Sequence, residues 1–184
     1  MAAIVARRRL EFAAGRAALR DAMHTLGLPT RPVPMGPDRT PLWPTGITGS
    51  LSHTATCCTA VLARTESASA LGIDIEPDSA LDRDLITEIC GPDELRWIGL
   101  QPDPAHQARL IFSAKEAAYK AQYTVTGTIL DFHDLSVLPD LGIGTFRATF
   151  QRTVGPFKCG QSLEGQFLRH ADLIVTALGL RPSH

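Results

Sequence analysis

Apolar residues recur at helical spacing through residues 4–26 (IVARRRLEFAAGRAALRDAMHTL), where Phe12, Leu19, Met23 and Leu26 make one stripe. Gly27, with Pro29 just beyond, ends that helix. Residues 29–49 hold six of the 13 prolines and predict an ordered loop rather than an element. Residues 50–63 (SLSHTATCCTAVLA) predict a buried strand region, residues 64–69 a turn, and LGIDIE at 71–76 a second strand, expected to be its antiparallel partner. Short helices are expected from Asp82 or Asp84 through Ile89 and from GPDELRWI. Residues 107–122 (QARLIFSAKEAAYKAQ) predict a longer helix, rich in strong helix formers. Residues 133–138, 144–151 and 164–179 read as strands separated by Gly/Pro turns. The order of elements predicts an α+β fold.

Composition narrows the class. Hydrophobic residues make up 44% of the 184 and charged residues 20%, as in ordinary globular domains. The length suits one compact domain, residues 1–184. With a net charge of −1, no global field draws the chain to nucleic acid or an anionic membrane. No apolar run approaches the roughly 20 residues that span a bilayer, and no apolar segment follows the early arginines as in a signal peptide. Four cysteines without metal or disulfide spacing fit reduced thiols in a cytoplasm.

Three clusters could carry chemistry. Asp74 and Glu76 are two apart on a strand, so both carboxylates share a face while Ile73 and Ile75 turn into a core. Such a pair holds a hard divalent cation, or else faces solvent or pairs with arginines. In FSAKEAAYK, Glu116 and Lys120 share a helix face and Lys115 turns about 100° away. That edge suits a metal ligand or proton acceptor flanked by phosphate-binding amines, and equally a solvated surface. Ser52 and His53 are adjacent on a strand and point to opposite faces, which excludes a nucleophile–base pair. His53 is either structural or a donor to a phosphate oxygen, with Ser52 helping. Helical spacing aligns Arg9, Arg16 and Arg20.

In order along the chain stand RRLEFAAGR at 8–16, RTPLWPTGITGSLSH at 39–53, LGIDIEP at 71–77 and FSAKEAAYKA at 112–121. This series resembles the signature motifs of 4′-phosphopantetheinyl transferases, in the branch of the enterobactin synthase component D enzymes. The resemblance covers residues 8 to about 122. It implies two similar α+β halves about a pseudo-twofold axis, here about 1–75 and 76–184, with coenzyme A in the cleft between them. It also implies transfer of the phosphopantetheine group of coenzyme A to a serine of an apo acyl- or peptidyl-carrier protein, releasing adenosine 3′,5′-bisphosphate. By position, Asp74, Glu76 and Glu116 match the ligands of Mg²⁺, with Mn²⁺ a possible substitute. His53 with Ser52, together with Lys115 and Lys120, matches the phosphate contacts, and Glu116, Lys120 and His53 match the catalytic groups. Arg8, Arg16 and Arg39 match the residues binding the nucleotide, with Arg8 rather than Arg9 favoured by the motif. The resemblance further implies a first half shortened at its N-terminus, and a monomer. A metal-dependent phosphohydrolase, or a non-catalytic module binding coenzyme A or carrier, is the alternative reading.

Overall fold

A computed structural model of the chain describes residues 2–38 and 40–182, with side chains from Phe12 onward. Helix α1 (Ala2–Thr25) is followed by strands β1 (Ile47–His53), β2 (Cys58–Arg64) and β3 (Ala70–Pro77). Short helices α2 (Arg83–Ile89) and α3 (Pro92–Ile98) lead into the long α4 (Pro104–Thr126). A single 3₁₀ turn at Phe132–Asp134 opens the series β4 (Leu135–Asp140), β5 (Thr145–Phe150), β6 (Ser162–His170) and β7 (Leu173–Leu180). The α+β class expected from the sequence is the one observed.

The strands pair differently from the sequence expectation. Residues 50–63 are not one strand but a hairpin, β1–β2, registered from Ile47↔Arg64 to His53↔Cys58. Its tight end is closed by the Thr54 N–H donating to the Cys57 carbonyl (2.8 Å), while the Thr54 hydroxyl accepts from the amide of Cys57 (3.0 Å). β3 does not pair with either arm. It pairs along its whole length with β7, in the sheet order β3-β7-β6-β5-β4, all antiparallel. Residues 164–179, expected as one strand, are two, β6 and β7, reversed at Ala171 and Asp172 with φ of 49° and 62°. Neither residue is a glycine or an asparagine, so this reversal carries the positive-φ backbone without its usual sequence mark.

The main core lies between α4 and one face of the five-stranded sheet, where Ile111, Ala114, Ala118, Val137, Phe146 and Phe150 are buried. Small residues let this helix approach closely: a Cβ at Gly72 of β3 would collide with the carbonyl of Ala117 in α4. Gly127, in the left-handed conformation, terminates α4 and donates its N–H to the Tyr123 carbonyl (2.8 Å). A second, smaller core joins α1 to the hairpin through Leu19, Met23 and Val33, with Trp43 and Leu51 packed against it. Phe12, expected on that apolar stripe, is 57% exposed. Its ring instead lies 4.4 Å beneath the Arg16 guanidinium, a cation–π contact at the surface.

Side chains join the two sheets. On β1, Ser50 and Ser52 share the face turned toward β3 and both are buried. The Ser50 hydroxyl accepts from the Ile73 amide (3.1 Å), and the Ser52 hydroxyl donates to Asp74 Oδ1 (2.7 Å).

Candidate functional site

The site forms where α4 crosses β3. Alternation along β3 buries Ile73 and Ile75, and Asp74 and Glu76 meet side chains from α4. Asp74 is 4% exposed. Its Oδ1 accepts from Lys120 Nζ (2.7 Å) as well as from Ser52, while its Oδ2 is buried without a hydrogen-bond partner among the described residues. Lys120 also donates to the Ile73 carbonyl (3.0 Å), so this cation is fixed over the DxE strand. An ionised oxygen buried without a donor is costly, and it marks the place where a cation or donor is wanted.

Glu76 is held by Arg109, about two turns before Glu116 on α4: Nη1 donates to Glu76 Oε2 (3.1 Å). The same guanidinium reaches the carbonyls of Ser79 (3.4 Å) and Ala80 (3.3 Å). The sequence reading missed Arg109. Its spacing of seven from Glu116 was the available signal, since that step returns to the same side of a helix. Burial raises the Glu76 carboxyl above its ordinary value and nearby Asp74 raises it further, against the pull of Arg109. Glu116, half-buried, is raised by the same two causes, burial first and Asp74 second, with Lys120 opposing. Three acids thus repel one another across the joint between β3 and α4. Among the described residues, no three His, Cys, Asp or Glu side chains are gathered closely enough to hold an ion unaided.

Lys115 does not join them. It is 2% exposed and points into the interior, where Nζ donates to Glu94 Oε2 (2.8 Å), the Ile89 carbonyl (2.7 Å) and the Phe132 carbonyl (2.7 Å). All three of its donors are spent there, which corrects the expectation that it contacts phosphate. Ser52 likewise turns inward to Asp74 rather than outward toward a ligand. His53, next to it, is exposed at the closed end of the hairpin. Gly15 packs α1 against Leu51 and Cys58, the latter being the cross-strand neighbour of His53, which brings the following residue, Arg16, to this end of the hairpin. The side chain of Arg8, and Arg39, lie outside the described residues.

Two hollows lie along this stretch of α4. A groove of about 850 Å³ runs between the proline-rich segment and α4, lined by Trp43, Ser50, Tyr119, Lys120 and Tyr123 among others. The segment is tied to the helix across this groove by Asp38, whose Oδ2 accepts from the Tyr123 hydroxyl (3.1 Å). A pocket of about 280 Å³, which shares Tyr119 with that groove, is bounded by Glu116, Glu88, Lys115, Leu130, Asp131 and Phe132, with the amine of Lys115 turned to its interior partners. Glu116 thus lines the smaller cavity and Lys120 the larger, and the two share Tyr119 as a wall.

Comparison with known proteins gives two family matches along the chain. Residues 1–63 match the 4′-phosphopantetheinyl transferase N-terminal domain and residues 70–174 the 4′-phosphopantetheinyl transferase superfamily. The chain is 38% identical over 187 residues to the 4′-phosphopantetheinyl transferase Svp of Streptomyces mobaraensis, covering 98% of this chain and 75% of that protein. It is 37% identical to the 4′-phosphopantetheinyl transferase PptT of Mycobacterium tuberculosis, over 72% of this chain and 59% of that protein. To enterobactin synthase component D of Salmonella typhimurium it is 40% identical, over 62% of this chain and 48% of that protein.

Proposed function

The chain belongs to the 4′-phosphopantetheinyl transferase superfamily, and on that premise we propose that it moves the 4′-phosphopantetheine group of coenzyme A onto a serine of an apo acyl- or peptidyl-carrier protein. The observation that carries this reading is Asp74, with one oxygen held by Ser52 and Lys120 and the other buried without a donor among the described residues. Beside it stand two further acids, Glu76 and Glu116, whose carboxyls are raised first by burial and then by the charge of Asp74. The chemistry of these oxygen donors suits Mg²⁺, which takes a few carboxylates and fills its remaining positions with water and substrate phosphate oxygens, although among the described residues the three side chains are not gathered into a cluster that would hold an ion. Asp74, Glu76 and Glu116 would hold it, and Mn²⁺ would serve in its place. Bound there, the ion supplies positive charge against the pyrophosphate and its leaving oxygen.

The chain's own residues do the rest. The 850 Å³ groove takes coenzyme A, with Lys120, which also holds Asp74, in its lining to meet the pyrophosphate. His53 and Arg16 receive the nucleotide's phosphates from the hairpin side, and Arg8 and Arg39, matched to the same task by the motifs alone, serve them too. Glu116 accepts the proton of the carrier serine as its oxygen forms the bond to the β-phosphorus. The bond from that phosphorus to the bridging oxygen breaks, and adenosine 3′,5′-bisphosphate leaves. The carrier docks from solvent onto a monomeric enzyme, and the four free cysteines fit a cytoplasmic protein working where coenzyme A is made.

The test mixes the protein with a fluorescent coenzyme A conjugate, Mg²⁺ and an apo-carrier. Covalent label on the carrier that requires both metal and acceptor supports transfer. Cleavage of coenzyme A without any acceptor, or binding without turnover, contradicts it.

A further inference from the structure

Lys115 and Glu94 form a buried ion pair in which each side chain is about as hidden as a core leucine, at 2% and 1% exposure. Such a pair is weak evidence for stability in itself, because desolvation offsets the attraction. What distinguishes this one is where its hydrogen bonds end. Glu94 accepts from Lys115 and the Gly91 amide (2.6 Å) through Oε2, and from the Val137 amide (2.7 Å) through Oε1. Lys115 adds the carbonyls of Ile89 and Phe132. One pair therefore ties four points of the chain to α4: the end of α2, the start of α3, the 3₁₀ turn and β4. Several of these points adjoin the walls of the pocket beside Glu116, for Glu88 precedes Ile89, Asp131 precedes Phe132, and Leu135 lies two before Val137.

We propose that Glu94 is a positioning residue for the transfer: by anchoring Lys115 in the interior it fixes the turn of α4 that presents Glu116, and the wall of the pocket that Glu116 faces. The proposal rests on the transferase reading. It assigns the adjacent lysine and glutamate of the SAKEAA segment to separate tasks, Lys115 to the interior and Glu116 to the reacting serine. Adjacent helical residues point about 100° apart, so pinning one sets the direction of the next. A group misplaced by about 1 Å costs on the order of a hundredfold in rate.

Two measurements test it. The first uses Glu94→Leu/Lys115→Met, which removes both charges together so that no unpaired ion is left in the core. Native protein that labels no carrier overturns the transferase reading itself. With native transfer established, the expected double variant binds coenzyme A within about threefold of native by calorimetry, while kcat falls roughly 10- to 100-fold. No recovery of kcat is expected on restoring Lys115 alone, whereas Glu94→Gln, which keeps a carbonyl acceptor for Lys115, should retain most of it. Full kcat in the folded double variant overturns the proposal, since the pair is then only packing; a tenfold or greater loss of coenzyme A affinity also overturns it, since Lys115 then touches phosphate. The second measurement uses native protein and stands even where the variant does not fold. Amine acetylation followed by mass spectrometry should leave Lys115 unmodified with or without coenzyme A and Mg²⁺, whereas Lys120, 26% exposed, is modified in the free protein and protected by them. Modification of Lys115 that coenzyme A suppresses contradicts the anchor.

Discussion

At Asp74 the strand geometry and the chemistry coincide. Its Oδ1 is seated by Ser52 and Lys120, and Oδ2 is left open at 4% exposure of the residue. Asp74→Asn keeps the shape while removing the charge, so the protein stays folded and transfer falls at least about a hundredfold, the scale of losing a preorganised charge in an active site. Thermal unfolding and carrier labelling check the two halves of that statement. The raised carboxyls of Glu116 and Glu76 give a second prediction, in metal-free protein. Above the ordinary value of 4.5 the unfolded chain has released protons that the folded state still holds. These groups therefore withdraw stability as the pH rises from 4.5 through their folded values, and make no difference below it. Glu116→Gln removes one of them, so its unfolding midpoint should gain on the native one as the pH climbs. A gap between the two curves that does not change with pH would contradict burial as the cause.

At the scale of elements, the joint between β3 and α4 decides the site. Gly72 permits it, because the Ala117 carbonyl occupies the space a side chain would need. Gly72→Ala should destabilise the protein by about 1–3 kcal/mol, as overpacking does. It should also lower kcat by more than the unfolded fraction explains, because Glu116 and Lys120 ride on the displaced helix; denaturant melts alongside kinetics separate the two effects. The elements themselves were legible where a period was sustained. Helix 107–122 lies within α4, and the alternation of LGIDIE put both acids on one face. Pairing was less legible. The sequence of β3 says that it is a buried strand but not which edge it meets, and four residues, Thr54 to Cys57, close a hairpin without glycine or proline. Lys115 was misread for a related reason. Helical spacing shows that it turns from Glu116, but not that Glu94, 21 residues earlier, waits in the interior to receive it.

For the molecule as a whole, the hairpin with α1 and the five-stranded sheet with α4 share no backbone ladder, and the serines of β1 bridge them. Ser50→Ala/Ser52→Ala should speed hydrogen exchange in residues 47–64 while leaving residues 135–180 near native protection, as read by mass spectrometry; equal loosening of both would contradict a side-chain bridge. The groove that takes coenzyme A in the proposed reaction lies at this junction, with Trp43 and Ser50 from one side and Tyr119 and Lys120 from the other. The order of motifs along the chain made the family legible from residues alone. The junction was not, because it depends on contacts between residues 20 or more apart, such as Ser52 with Asp74. The most direct test of the central claim is the intact mass of an apo-carrier after incubation with the protein, coenzyme A and Mg²⁺. The account predicts a gain of one phosphopantetheine on the carrier serine, matched by an equal amount of adenosine 3′,5′-bisphosphate. A carrier of unchanged mass, with coenzyme A either intact or hydrolysed, would contradict it.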